Sequence, residues 1–205
     1  MVHNWVMPSP TPMTGRPRGF DPNAALAAAL DVFWRQGYEA TSLDDLTAAM
    51  GLSRSSFYAC FASKHAVLLA CVQMYADQIH AALVELAGTA ADERAAVRAI
   101  LTAIADPDGG RRGCFLVNSV AELAPHDAAV AAIARAHIDR VGALTAGLLV
   151  RAGFAPDHAG RRAGALLACA IGATTLRKAG VAAAQIEALL ADAEDLLRDG
   201  GTTRG

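Results

Sequence analysis

The sequence predicts an all-α protein, in which a three-helix N-terminal domain containing a helix-turn-helix precedes a larger helical C-terminal domain. Hydrophobic residues make up 54% of the 205 residues, but much of this content is alanine, and clusters of valine, isoleucine and aromatic residues are scarce. Apolar residues instead recur every three or four positions along most of the chain. The chain shows no run of eighteen uncharged apolar residues and no signal-peptide pattern at its start, so we expect a cytosolic protein without membrane contact.

Charge and cysteine content exclude several classes of protein. The formal net charge is −2, and the chain carries no polybasic tail, so bulk charge does not indicate a nucleic-acid partner. The four cysteines have neither paired metal-ligand spacing nor the density of a secreted disulfide scaffold. We therefore expect no metal and no cofactor, and any DNA binding must depend on a few well-placed side chains.

The first helix is preceded by a proline-containing segment without periodicity, which we interpret as a disordered leader over residues 1–14. Arg16 and Arg18 follow it, and they are typical of an arm that reaches phosphates or the minor groove; a solvated linker is the alternative. Asp21 and Pro22 then form a strong helix start, and Gly37 marks the end of this helix.

Residues 41–64 have the pattern of a helix-turn-helix. Ser42 with Asp45 predicts a capped start for the first motif helix, and Gly51 provides the left-handed residue that ends it. Ser53 caps the second helix, which would lie in the major groove of DNA. Phe57 and Phe61 are predicted to face the core, whereas Ser63 starts a further helix at Lys64.

The stretch from GRPRGFD through FWRQGYEATSLDDLTAAMGLSRSSFYACFASKHAVL resembles the DNA-binding region of the TetR family of bacterial transcriptional regulators over about fifty residues. Two positions depart from the family pattern, because His65 stands where glutamate is frequent and Cys60 where histidine, tyrosine or alanine is frequent. Together with the arm, the resemblance and the motif spacing give the candidate DNA contacts. They are Arg16, Arg18, Thr41, Ser42, Arg54, Ser55, Ser56, Tyr58 and Lys64.

The chain from Lys64 onward keeps helical periodicity for over twenty residues. This predicts one long helix connecting the N-terminal DNA-binding domain, called the head below, to the rest of the protein. We place the DNA-binding domain at residues 15–64, an effector-binding and dimerisation domain at 65–200, and a short tail at 201–205. A rigid connector of this kind can transmit a ligand-induced change from the second domain to the first.

Cys114 follows Arg111 and Arg112 and precedes a short apolar helix, and both the arginines and a helix N-terminus favour a reactive thiolate. The alternative is an inert buried cysteine. The RGCFLVN…E run resembles one found in a branch of TetR regulators that includes cysteine-based sensors of electrophiles and oxidants. The effector or sensor candidates are Cys114, Asn118 and His137, although a histidine on an apolar helix face is commonly a core residue.

The last region places small residues at every fourth position of one helix, which allows a second helix to approach closely. A final amphipathic helix follows, and the two helices match the four-helix dimer interface that is usual in the family. The predicted interface residues are Gly160, Gly164, Ala168, Gly172, Leu189, Leu190 and Leu196.

These observations predict a homodimeric, non-enzymatic repressor that binds a palindromic operator and is released by a small apolar or electrophilic inducer. One alternative is an enzyme that uses Cys114 as nucleophile with His126 or His137 as base, but no orienting acid is placed by spacing. Another is a helical interaction module without DNA binding, which the near-zero charge of the head favours.

Overall fold

The computed structural model describes residues 21–105 and 110–198. These residues contain only helices and their connections, which confirms the all-α prediction. In chain order the α-helices are α1 (Pro22–Gln36), α2 (Leu43–Met50), α3 (Arg54–Cys60), α4 (Lys64–Thr89), α5 (Glu93–Ala105), α6 (Phe115–Leu123), α7 (Ala128–Arg151), α8 (Pro156–Lys178) and α9 (Ala183–Ala193). Short 3₁₀ helices at Gly110–Arg112 and Glu194–Leu197 complete the described chain.

The N-terminal helices begin and end at the predicted capping residues. Asp21 caps α1, and its carboxylate accepts a hydrogen bond from the Asn23 amide. Ser42 and Asp45 form the reciprocal capping box of α2, which also holds the pKa of Asp45 below its usual value. Gly51 adopts φ 65°, ψ 31° and ends α2, so that α3 can start three residues later. The helix-turn-helix prediction is therefore confirmed in its geometry.

One hydrophobic core joins the head to the helices behind it. Phe57 of α3 and Leu46 of α2 are fully buried, and they belong to the same cluster as Phe115 and Leu116 of α6 and Val130 of α7. Because the head shares its core with α6 and α7, a displacement of α6 disturbs packing in the head. The proposed division of the chain at residue 64 does not coincide with a gap in this core.

The rest of the protein is a bundle in which α4, α5, α7 and α8 pack on one another, with α9 lying against α8. Among the described residues, α4 is long and apolar enough in length and composition to cross a membrane. Its buried residues, however, all belong to the two main clusters of the protein core except Ala76, as expected for a core helix. They are Val67, Leu68, Cys71, Val72, Tyr75, Ala76 and Leu83.

Two neighbouring aromatic residues of α3 provide a test of this packing. Phe57 is fully buried whereas Tyr58 is 60% exposed. We expect Phe57→Ala to lower the free energy of unfolding by about 3–5 kcal/mol, because it removes a core ring and leaves a cavity. Tyr58→Ala should change it by only about 0.5 kcal/mol. Urea titration followed by circular dichroism measures both, and equal losses would contradict the burial of Phe57.

Candidate functional site

The exposed face of the second motif helix carries four of the nine predicted DNA contacts. Arg54, Ser55, Ser56 and Tyr58 are all exposed on α3. The Ser53 hydroxyl lies 2.9 Å from both the Ser55 and the Ser56 hydroxyls, and it also accepts a hydrogen bond from the Ser56 amide at 3.1 Å. The face therefore combines small polar side chains with one aromatic hydroxyl and one guanidinium group, which suits contact with a DNA groove.

Arg54 is held by a carboxylate of the neighbouring helix. Its Nε donates to Asp44 Oδ1 at 3.1 Å, and its Nη2 donates to Oδ1 at 2.8 Å and to Oδ2 at 3.0 Å. The two side chains remain 65% and 71% exposed, so the pair lies in solvent at the surface of the head. The sequence did not indicate this pair, because its residues are ten positions apart on two different helices.

Lys64 has surroundings that differ from those expected of a phosphate contact. Its Nζ donates to the Tyr38 carbonyl at 2.9 Å and to the Thr41 carbonyl at 2.8 Å, and it lies 4.2 Å from the centre of the Tyr38 ring. The Thr41 side chain is buried and its hydroxyl donates to the Gly37 carbonyl at 2.6 Å. Both side chains hold the loop before α2, and their contact with DNA stays a prediction. Arg16 and Arg18 lie outside the described residues.

A cavity of about 740 Å³ lies behind the head, between α4, α5, α6, α7 and α8. Its wall is largely apolar and includes Trp34 of the head. Cys114 and His137, which the sequence places 23 positions apart, both line it. The volume is in the range of small-molecule sites, and an apolar wall with few polar groups is typical of them.

Cys114 occupies the N-cap position of α6 and is half-buried. The Tyr75 hydroxyl donates to its Sγ at 3.6 Å. Arg112, by contrast, pairs with Asp31 at 2.8 Å and lies over the Trp34 ring. Burial raises the pKa of Cys71 to about 12, so this second thiol of the core stays protonated. Cys114 is thus the cysteine that lines the cavity and contacts a polar neighbour.

His137 lies in the cavity wall between α7 and α4. Burial lowers its pKa to about 4, and the charges of Arg140 and His80 act in the same direction, opposed by the Ala76 carbonyl and Asp77. Its Nδ1 is buried without a hydrogen-bond partner among the described atoms. The ring is therefore neutral at physiological pH, and it contributes a polar but uncharged group to the site.

A second cavity of about 580 Å³ is lined by residues of α6 and the end of α1, and it shares Cys114, Trp34, Val117 and Thr174 with the first. Asn118 lines this second cavity, where its amide nitrogen donates to the Arg112 carbonyl at 2.8 Å. Its Oδ1 accepts from Lys178 at 2.7 Å. The structure thus brings Cys114 and His137 to one cavity and places Asn118 in its neighbour.

Glu122, at the far end of α6, contacts the head. Its carboxylate accepts hydrogen bonds from the Tyr38 amide at 2.9 Å and the Glu39 amide at 3.1 Å. A side chain at Gly37, which has φ 82°, would bring its Cβ within 3.2 Å of that carboxylate. The sequence contained Glu122 in a recognisable run, but nothing in it indicated partners more than eighty residues away.

A second contact joins the start of α7, which follows α6, to α4. The Nε2 atom of His65 lies 2.7 Å from Asp127 Oδ2, and this hydrogen bond holds the pKa of Asp127 below its usual value. Asp127 also caps α7 through the amides of Ala129 and Val130. The end of α6 is therefore bound to the head through Glu122, and the start of α7 is bound to the first turn of α4 through Asp127.

The predicted dimer face is only partly free in the single chain. Gly160, Gly164 and Ala168 are exposed along α8, and a Cβ atom added at either glycine would meet nothing within 4 Å. Gly172 is half-buried and also has open space at its Cβ position. Three leucines, in contrast, are half-buried against the clusters of their own chain. They are Leu189, Leu190 and Leu196.

Within residues 21–105 and 110–198, no group of three or more histidine, cysteine, aspartate or glutamate side chains could hold a metal ion.

Comparison with known proteins gives a consistent result for the head. The family model described as bacterial regulatory proteins, tetR family, matches residues 25–71. The chain is 34% identical over 117 residues to the uncharacterized HTH-type transcriptional regulator YezE of Bacillus subtilis, which is 55% of this chain and 60% of that protein. It is 35% identical over 125 residues to the HTH-type transcriptional repressor ComR of Escherichia coli, covering 57% and 58%. The match thus spans less than two thirds of either relative.

Solved structures extend the similarity over nearly the whole chain. A cysteine mutant of the TetR family transcriptional regulator CifR, complexed with 26 bp double-strand operator DNA, superposes with a TM-score of 0.71 at 30% sequence identity. The superposition covers 90% of this chain and 98% of that chain. Both the head and the helical bundle behind it are therefore shared with that protein.

The low pKa of His137 makes the stability of the protein depend on pH. Between about pH 6.5 and pH 4 the unfolded chain binds a proton at this histidine that the folded protein does not bind. The wild type should therefore lose stability relative to His137→Leu as the pH falls through this window. Urea unfolding of both proteins at several pH values measures the difference, and a difference independent of pH would contradict a buried neutral His137.

Proposed function

Because this chain belongs to the TetR family of bacterial regulatory proteins, we propose that it is a cytoplasmic transcriptional regulator, a repressor, that binds palindromic operator DNA as a homodimer. The observation that carries the proposal is the capped helix-turn-helix whose second helix exposes Arg54, Ser55, Ser56 and Tyr58. ComR is named a repressor, and a cysteine mutant of CifR is complexed with operator DNA in its solved structure. Both relatives support this function for the present chain.

In the proposed complex, α3 lies in the major groove with the side chains of its first turn at the base edges. Tyr58 and Ser42 lie where side chains contact phosphates, and the arm residues Arg16 and Arg18 add contacts beside the head. Lys64 contributes to phosphate binding through the third N–H group of its ammonium, because the other two donate to the carbonyls of Tyr38 and Thr41. Affinity depends on these few groups, because the head as a whole has little net charge.

The dimer forms through α8 and α9 in this proposal. The open Cβ positions at Gly160, Gly164 and Gly172 allow the backbone of a second α8 to approach closely. The half-buried residues Leu189, Leu190 and Leu196 lie at the edge of this face and extend it. A two-fold dimer presents two α3 helices, so the operator half-sites are expected about one helical turn apart.

The effector is a small apolar or electrophilic molecule that occupies the 740 Å³ cavity. Its apolar body packs against the wall, and His137 offers an uncharged polar group. An electrophilic effector with an activated C=C bond, such as a quinone, reacts with Cys114: the sulfur forms a bond to carbon, the C=C π bond breaks, and the thiol proton is transferred to the carbonyl oxygen. Asn118 acts from the adjoining cavity by holding the segment before Cys114. The effector releases DNA by binding more tightly to the conformation in which the two heads are misplaced.

Helix α6 is the element that passes this change to the head. Cys114 caps its N-terminus and Glu122 lies at its other end, where the carboxylate holds the amides of Tyr38 and Glu39. A cavity lies beside α6 and the end of α1, so α6 has space to move on this side, while the core that it shares with the head transmits the movement. A shift of α6 then moves the loop that leads into α2, and with it the helix-turn-helix.

The two alternatives have less support. An enzyme would require a base beside the Cys114 thiol, whereas the hydrogen bond found there comes from the Tyr75 hydroxyl. The curated relatives are all named transcriptional regulators or repressors, which fits a protein without enzymatic activity. A helical module without DNA binding would have no use for the exposed polar face of α3.

The proposal is tested by mapping the genomic DNA that the purified full-length protein protects from cleavage. We expect protection of a palindromic site, and we expect 1,4-benzoquinone to abolish it. Cys114→Ser should remain bound in the presence of the quinone, whereas the control Cys60→Ser should be released like the wild type. Absence of any sequence-selective protection would exclude the repressor function, and equal release of Cys114→Ser would exclude the sensor role of this thiol.

The role of Glu122 is tested by the ratio of operator affinities before and after alkylation of Cys114. For the wild type we expect roughly a tenfold or larger loss on alkylation, within the usual range of coupling between sites. For Glu122→Gln, in which one acceptor oxygen is replaced by a donor NH₂ group, this ratio should fall toward one. The exposed residue Glu85 provides a matched Glu→Gln control. An unchanged ratio in Glu122→Gln would show that the signal takes another route.

A further inference from the structure

The ion pair between Arg54 and Asp44 lies on the face that we propose meets DNA. Asp44 is in the first turn of α2, and Arg54 is the first residue of α3. The carboxylate contacts the guanidinium on its Nε side, through Nε and Nη2. Among residues 21–105 and 110–198, no hydrogen bond uses the Nη1 atom of Arg54. The outer edge of the guanidinium therefore consists of the unused Nη1 and of Nη2, whose 3.0 Å contact with Asp44 Oδ2 would be exchanged for a base acceptor when DNA binds.

This outer edge has the geometry that recognises guanine. Guanine presents two acceptors, O6 and N7, in the major groove, and a guanidinium donates to both at once through two neighbouring N–H groups. A free arginine side chain loses several rotamers when it makes such a contact. Asp44 restricts those rotamers beforehand, because it holds the Nε side of the group at distances of 2.8 to 3.1 Å.

We propose that Arg54 reads one guanine in each half-site of the operator and that Asp44 positions its guanidinium for that contact. The proposal rests on the proposed function of the protein as an operator-binding dimer. It adds the identity of a base and assigns a role to Asp44, an acidic residue that no DNA contact explains.

Stability does not explain the pair. Exposed ion pairs contribute little to folding, and both side chains here are largely solvated. An acidic side chain beside the groove also repels phosphates and therefore lowers the affinity for all DNA. Such a residue is useful in a DNA-binding face when it increases discrimination between sequences more than it lowers affinity, as a positioning residue does.

The neighbouring side chains leave room for this contact. Ser55 and Ser56 follow Arg54 in the first turn of α3, and their hydroxyls lie close to the Ser53 hydroxyl. The nearby Asp45 carboxylate is occupied by the amide and hydroxyl of Ser42, so it does not compete with Asp44 for the guanidinium. Arg54 is therefore the long cationic side chain of this turn, with small residues after it.

The experiment selects bound sequences from a randomised double-stranded DNA library, using the full-length wild type, Arg54→Lys, Asp44→Asn and the control Arg35→Lys. Arg35 also forms an exposed pair, with Asp31 at 3.2 Å, but it lies on α1. We expect one guanine per half-site to be selected by the wild type and by the control. That preference should be lost in Arg54→Lys, which keeps the charge but lacks the planar fork.

Affinity measurements on the selected site separate positioning from a structural role. Replacing the guanine should weaken wild-type binding by roughly 5- to 150-fold, the discrimination of a bidentate contact. In Asp44→Asn this factor should fall, while binding to unrelated DNA should become tighter because a negative charge is removed. A loss of folding would weaken binding to all DNA, so it would not lower the guanine discrimination while raising the affinity for unrelated DNA. Thermal unfolding of each variant checks that it is folded.

The outcomes distinguish the two proposals. Selection of a defined site whose guanines are equally preferred by wild type and Arg54→Lys would overturn the role of Arg54 and leave the repressor function intact. An unchanged guanine discrimination in Asp44→Asn would overturn the role of Asp44. Failure of the wild type to select any sequence would overturn the operator-binding function and this inference with it.

Discussion

The loop between α1 and α2, residues 37–41, is held from both halves of the protein, and the position of the helix-turn-helix depends on it. The Lys64 ammonium, at the start of α4, donates to the carbonyls of Tyr38 and Thr41. The Glu122 carboxylate, at the end of α6, accepts hydrogen bonds from the amides of Tyr38 and Glu39. Hydrogen bonds to charged groups contribute about 1.5–3 kcal/mol each, so the conformation of the loop is strongly determined. Gly37, with φ 82°, leaves the space that the carboxylate requires. Since Ser42 caps α2 directly after this loop, the orientation of α2 and α3 follows from it.

This arrangement supports the proposed response of the head to effector binding in the bundle. The carboxylate of Glu122 lies at the C-terminal end of α1, where the helix dipole is negative, and the amides of Tyr38 and Glu39 offset this unfavourable environment. These hydrogen bonds link the loop to α6, so a displacement of α6 acts on the loop directly. The cavity along α6 provides space for the displacement that we propose.

The sequence determined the local features of the structure more fully than the long-range ones. The caps at Asp21, Ser42 and Ser53 and the turn at Gly51 depend on residues within four positions, and all were predicted correctly. The contacts of Glu122 with Tyr38 and of His65 with Asp127 join residues that only the tertiary fold brings together. Lys64 combines both cases, because its position at a helix start was predicted but its two carbonyl partners were not. The contacts that a surface side chain makes depend on neighbours from other parts of the chain, and no spacing rule specifies these neighbours.

The low net charge of the head is consistent with binding to DNA as a dimer. A strongly basic surface would bind any DNA through counterion release and would need only one head. Here the conspicuous cation of α3 is paired with Asp44, so a single head gains little from phosphates. Two heads fixed at one spacing gain a large effective concentration for the second half-site, and this gain disappears when the geometry no longer matches. In the proposed mechanism, weak binding by each single head would let a modest displacement through α6 have a large effect on operator occupancy, because the effector would change the spacing on which the affinity of the dimer depends.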